Sequence, residues 1–92
     1  IMIKKMDYIY SDDNQKILIE PQQKSTRKNI IDQYVRYRKK IGITQAELAR
    51  RAGVPRTNIT RFESGSYNPS LEMMVRIAAA LGKKLQIELT EN

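Results

Sequence analysis

Residues Thr44 to Gly65 read TQAELARRAGVPRTNITRFESG, and the order of their polar and apolar side chains constrains the fold more than any other stretch. Leu48, Ala49 and Ala52 recur at helical spacing, Gly53 and Val54 interrupt it, and Ile59 and Phe62 resume it. The spacing predicts two short helices joined by a tight turn. Thr44, with Glu47 three residues on, is a capping-box pattern that starts the first helix, and Gly53 stops it. Pro55 opens the second, where its fixed φ suits a helix start and its missing amide hydrogen costs little. Ser64 and Gly65 close that helix after about two turns. With Ile59 and Phe62 turned inward, Arg56, Thr57, Thr60 and Arg61 are left on the outer face. Arginine and short hydroxyl side chains on an exposed helix suit phosphate oxygens and base edges in a DNA major groove.

On either side the apolar spacing predicts two further helices. From Thr26 onward, Ile31, Tyr34, Val35, Arg38 and Ile41 lie at steps of three and four, and Gly42 ends that face as a left-handed cap. Asn68, Pro69 and Ser70 are a start signal, after which Leu71, Met74, Ile77, Ala78 and Leu81 trace a buried stripe that stops at Gly82. Leu85, Ile87 and Leu89 then alternate with polar residues, the period of a strand. A single strand is not stable alone, so its partner is either the amino-terminal region or the same strand of a second subunit. Near the amino end, Tyr8 to Tyr10 and Lys16 to Ile19 are β-prone runs around Ser11, Asp12, Asp13 and Asn14, a hairpin pattern; Pro21 to Ser25 reads as a polar linker. The expected fold is mainly α, a compact helix-turn-helix domain of four or five helices with short β-strands at both ends. Residues 1–25 would form an arm, 26–82 the helical domain and 83–92 a β-strand tail.

A chain of 92 residues can bury one modest core. Cysteine and histidine are absent, which removes thiol nucleophiles, histidine bases, disulfides and the usual zinc ligands. The tight carboxylate pair Asp12 and Asp13 sits in a predicted turn without a third ligand, so an enzyme is the reading that the composition favours least. No apolar run reaches the roughly 20 residues that span a bilayer, and no hydrophobic signal stretch is evident, so no membrane partner and a cytoplasmic location are expected. The charge is unevenly placed. Residues 26–82 carry the whole +7 excess, whereas 1–25 and 83–92 are each neutral. That distribution suggests a polyanion-binding middle whose flanks serve other tasks.

Gln45, Ala46, Leu48, Ala49, Gly53, Val54, Ile59, Phe62, Glu63, Gly65, Pro69, Leu71 and Leu81 together resemble the pattern of the phage-repressor (XRE) type of helix-turn-helix, over about Ile31 to Gly82. The resemblance implies base reading by Arg56, Thr57 and Arg61. It implies phosphate contact by Gln45, with Thr44, Asn58, Thr60, Ser66 and Asn68 as further phosphate candidates. Pro55 stands where the family more often has serine or threonine, so a side-chain phosphate contact is expected to be missing there. Arg38 and Glu63 occupy positions that the family often joins in a partly buried ion pair. Arg50 and Arg51 read as surface charges, and Lys39 and Lys40 suit a helix end whether or not DNA is near.

The resulting expectation is a DNA-binding transcription regulator, a repressor, that binds double-stranded DNA as a homodimer on a two-fold operator without a cofactor or metal. Met73, Val75 and Ala79, with Leu85, Ile87 and Leu89, are the surplus apolar residues for the dimer contact. A second expectation is an antitoxin that holds both operator DNA and a toxin protein, since the short body followed by LGKKLQIEL is similar to HigA-like antitoxins. Tyr8, Ile9, Tyr10, Ile17, Leu18 and Ile19 would then face the toxin.

Overall fold

In the computed structural model, which describes residues 7–91, the chain opens on a hairpin and continues through four helices. Strand β1 (Tyr8–Tyr10) pairs antiparallel with β2 (Lys16–Leu18), Ile9 opposite Ile17. The turn between them is closed by its own backbone, with Asn14 in the left-handed region at φ 65° and its N–H donating to the Ser11 carbonyl at 2.9 Å. Asparagine tolerates that conformation better than most residues. Asp13 is consumed locally: its carboxylate accepts from the Ser11 hydroxyl and from the Gln15 N–H, and these bonds hold it below the usual carboxylate range.

Helix α1 (Ile19–Ile41) follows β2 directly. The expected linker at Pro21 to Ser25 is therefore helix, and the start predicted at Thr26 is early helix interior. Proline in a first turn forfeits no intrahelical hydrogen bond, because the first amides of a helix have no partner in any case. A polar stretch between a strand and an apolar-periodic segment cannot be told from a linker by composition. At the other end Gly42 caps α1 at φ 77°, its N–H donating to the Arg38 and Lys39 carbonyls.

Helices α2 (Gln45–Ala52) and α3 (Arg56–Ser64) form the two-helix unit, joined through Gly53 at φ 71°, with the Val54 N–H reaching back to the Ala49 carbonyl at 3.0 Å. Half of the predicted capping box is present. Thr44 Oγ1 accepts from the Glu47 N–H at 3.1 Å, but the Glu47 carboxylate turns the other way and binds Arg50 and Arg51. Two guanidinium groups one turn ahead outweigh a single backbone N–H. Helix α4 (Leu71–Ala80) begins at Ser70, whose hydroxyl accepts from the Met73 N–H at 3.1 Å.

The core joins all four helices: Ile31 and Tyr34 from α1, Leu48 and Ala49 from α2, Ile59 and Phe62 from α3, and Ile77 and Ala78 from α4, with Leu81 just beyond it. Ile59 and Ile77 are wholly buried, and the Tyr34 and Phe62 rings meet edge to face at 5.0 Å between centroids. Each large apolar side chain sealed in this way contributes about 1.5–3 kcal/mol. The Tyr34 hydroxyl donates to the Met74 carbonyl at 2.8 Å, which ties α1 to α4 by a polar contact inside an apolar layer. Leu71 departs from the predicted stripe and lies exposed beside Val75. It is the first residue of α4, where the helix overhangs the core. Ile41 likewise extends past the core at the end of α1 and is exposed.

Residues 83–91 contain no strand, which corrects the expectation of a β-tail on the single chain. Leu85 packs against the core, while Ile87 and Leu89 project into solvent. The hairpin pairs with itself, so it does not supply the ladder that an extended tail needs. Alternation shows which way side chains would point in a strand and says nothing about whether a second strand is there.

Candidate nucleic-acid interface

Helix α3 is sealed on its inner side by Ile59 and Phe62, and Arg56, Thr57, Thr60 and Arg61 lie exposed on its outer side. A network of charged and amide groups fixes its position. Arg38 of α1 reaches Glu63 of α3 through two bonds, Nε to Oε2 at 2.6 Å and Nη2 to Oε1 at 3.0 Å, and its Nη1 donates to the Ile43 carbonyl at 2.9 Å. Both side chains are largely buried, at 13% and 8% exposure. Such a planar two-point pair sets orientation as well as distance. Gln45 of α2 completes the set: its Nε2 donates to Glu63 Oε1 at 3.0 Å, and its Oε1 accepts from the Thr60 hydroxyl at 3.0 Å. Three helices thus converge on Glu63, and among the described residues no buried side-chain polar atom lacks a partner.

The predicted site residues fall into three groups. Arg56, Thr57 and Asn58, at the start of α3, make no side-chain hydrogen bond or ion pair within the described residues. Arg61 makes no such bond either, but its guanidinium carbon lies 4.6 Å from the centre of the Tyr67 ring. The second group is committed to internal contacts. Gln45 keeps one amide N–H, Thr44 keeps its hydroxyl proton, Thr60 donates inward, Ser66 accepts from Ser64 at 2.9 Å, and the Asn68 oxygen accepts from Arg27 of α1. The third group, the predicted dimer residues, divides by burial: Met73 and Leu85 pack against the core, whereas Val75, Ile87 and Leu89 are exposed. Arg50 and Arg51 are both held by Glu47, whose carboxyl they lower to about 2.

Sequence reasoning missed the α3–α4 loop as a structured element. Tyr67 beneath Arg61 and the Arg27–Asn68 bond both cross the Gly65 turn, where no periodicity relates the partners. An aromatic residue shortly after an exposed arginine of α3 was the available signal.

With this geometry in view, the comparisons with known proteins are direct. Residues 36–87 match the family model described as Helix-turn-helix, more than half of the chain. An uncharacterised HTH-type transcriptional regulator of Methanothermobacter thermautotrophicus is 52% identical over 48 residues, which cover 52% of this chain and 70% of that one. Another, from Haemophilus influenzae, is 35% identical over 68 residues, covering 74% and 69%. Among solved structures, a chain of a toxin-antitoxin module from Streptococcus pneumoniae superposes with a TM-score of 0.65 at 28% identity, covering 90% of this chain and 85% of that one. The protein belongs to the helix-turn-helix family of DNA-binding transcription regulators.

Proposed function

We propose that this protein is a sequence-specific repressor that binds a two-fold DNA operator as a homodimer, with α3 in the major groove. The observation that carries this reading is the first turn of α3, where the side chains of Arg56 and Thr57 lie exposed without a hydrogen-bond partner among the described residues. Arg56 has no protein partner within the described residues, and it stands on a helix whose opposite side is buried at Ile59 and Phe62. A guanidinium so placed can donate two parallel hydrogen bonds to O6 and N7 of guanine. Arg56, Thr57 and Arg61 would read bases. Asn58, the free N–H of Gln45 and the Thr44 hydroxyl would hold phosphates, and Ser66, Asn68 and Thr60 would steer the loop and helix that flank them. One recognition helix covers only a few base pairs, so two copies on half-sites about 34 Å apart supply the specificity. Val75 with Ile87 and Leu89 is the apolar surface left for that pairing.

Selection of bound sites from random duplex DNA tests this reading. The expected result is a two-fold site with guanine at fixed positions and an affinity that falls steeply with salt. Recovery of no consensus, with a flat salt response, would defeat it.

A second reading is compatible with the first and has its own support. The similarity to a chain of a toxin-antitoxin module covers 90% of this protein. The hairpin exposes Tyr8, Ile9, Tyr10 and Leu18, more apolar surface than a two-stranded ribbon needs for itself. In this reading the neutral ends hold a toxin protein while the basic middle holds DNA. Co-expression with the adjacent open reading frame and purification on a tag placed on one of the two tests it. Retention of the neighbour by the parent chain, and its loss in Ile9→Ser with Tyr10→Ser, is expected; no retention by the parent would remove the reading.

A further inference from the structure

We propose that Tyr67 is a positioning residue for DNA reading, and that it fixes the guanidinium of Arg61 before DNA arrives. The inference rests on the operator reading above and extends it to a residue outside the recognition helix. Three observations combine. The Arg61 guanidinium carbon is 4.6 Å from the centre of the Tyr67 ring, within range for attraction between a cation and an aromatic face. The ring is not free to follow Arg61, because the loop is pinned on both sides of it. Ser66 is bonded to Ser64 at 2.9 Å between hydroxyls and at 3.3 Å through its own N–H, and Asn68 is bonded to Arg27 of α1. Tyr67 itself is half-buried, whereas Arg61 is exposed. The ring therefore acts as the platform and the arginine as the group placed on it.

The consequence for recognition follows from what a ring contact leaves unused. Ring attraction consumes none of the five guanidinium N–H donors, and Arg61 makes no side-chain hydrogen bond to the described residues. Its donor edge stays available for the two acceptors of guanine. A freely rotating arginine would lose its side-chain freedom on binding, whereas one held by the ring has lost part of it already. Arg56 has no comparable support, so the two arginines differ in how far each is preorganised. The base pair that Arg61 reads should accordingly depend on Tyr67, and the pair that Arg56 reads should not.

The test measures base preference position by position, in the full chain, from a duplex library. The variants are Arg61→Ala, Tyr67→Ala, Tyr67→Leu and Tyr67→Phe. Arg61→Ala identifies the position that Arg61 reads. Tyr67→Ala and Tyr67→Leu should weaken discrimination at that position by about 2-fold to 5-fold, the worth of an exposed cation–ring contact, and leave the Arg56 position unchanged. Tyr67→Phe keeps the ring and should match the parent. Leucine retains bulk in the loop, so its result stands if the alanine variant unfolds. An unchanged profile in Tyr67→Leu overturns the inference, and so does an equal loss at every position. Failure of Tyr67→Phe to match the parent also overturns it, since the phenol oxygen would then be the active group. A parent protein that selects no sequence overturns the operator reading itself, a result distinct from any of these.

Discussion

The helical body and the two ends of this chain answer the same physical demand in opposite ways. In the body, the inner apolar faces of the four helices meet one another, and Ile59 and Ile77 are sealed completely. Its partly buried charged and amide side chains Arg38 and Gln45 meet on Glu63. At the ends, the hairpin shows Tyr10 and Ile9 to solvent, and the tail carries Leu89 fully exposed. The difference extends to charge, since the body holds the whole +7 excess and the ends are neutral. A surface that is basic and polar suits a polyanion, and one that is neutral and apolar suits another protein. The contrast teaches that the body closes its own core, whereas the ends carry apolar surface that this core does not cover.

The sharpest way to break the comparison is to attack the body where its three helices converge. Glu63→Gln keeps the shape and removes the charge opposite Arg38, leaving a largely buried guanidinium without its counter-ion. Removal of one partner of such a pair costs about 3–5 kcal/mol. In a domain of this size that corresponds to a melting temperature lower by more than ~10 °C. Thermal denaturation followed by circular dichroism reads it. A melt within about a degree of the parent would mean that water already reaches the pair and that the body is less closed than its geometry indicates.

Next in size is the recognition face, where function and stability should separate. Arg56→Ala removes a side chain with no protein partner within the described residues, so the melt should stay within about 0.5 kcal/mol of the parent. Binding to the selected operator should weaken by about 1–3 kcal/mol while binding to unrelated duplex falls much less. Parallel titrations of the two duplexes test this. Equal losses on both would reassign Arg56 from bases to phosphate.

How much of this contrast was legible in the sequence depends on where each partner lies. The two-helix unit was readable because its signals are local. Gly53, Thr44 and the Leu48 to Phe62 spacing each act within a few residues, and the caps form where those residues stand. The hairpin was readable for the same reason, its turn being closed by neighbours. The early start of α1 was not, because a polar first turn with proline looks the same as a linker until its backbone is traced. The tail forms no strand on the single chain, and its alternation could not show this, because a strand is a property of two segments and the sequence displays one. Gln45 shows the limit for sites: the resemblance suggested a side chain that packs against α3, but no spacing indicated Thr60 and Glu63 as the residues it bonds there. Side chains that converge from different helices carry no shared period.

A smaller effect is expected at the tail. Leu89→Ser exchanges a fully exposed apolar residue and should leave the monomer's melt unchanged within about 0.5 kcal/mol. Sedimentation of parent and variant across a concentration series would show whether Leu89 belongs to a subunit contact. A shift toward the smaller species in the variant assigns the tail to dimerisation. Identical profiles leave Val75 and its neighbours on α4 as the remaining candidate for that contact.

The smallest effect concerns acid. Arg50 and then Arg51 bind the Glu47 carboxylate and lower it from the ordinary glutamate value of 4.5 to about 2. A carboxyl depressed in the folded state contributes stability that is complete above 4.5 and disappears as the pH falls toward 2. The contribution is modest because solvent screens an exposed pair, and salt should reduce it further. Glu47→Gln should therefore lie slightly below the parent near neutral pH and meet it at the acid end, once the remaining carboxylates common to both have titrated. Denaturant midpoints of the two proteins at several pH values provide the measurement. Curves that stay parallel throughout would show that α2 owes nothing to this pair, and that the Thr44 cap and the burial of Leu48 hold the helix unaided.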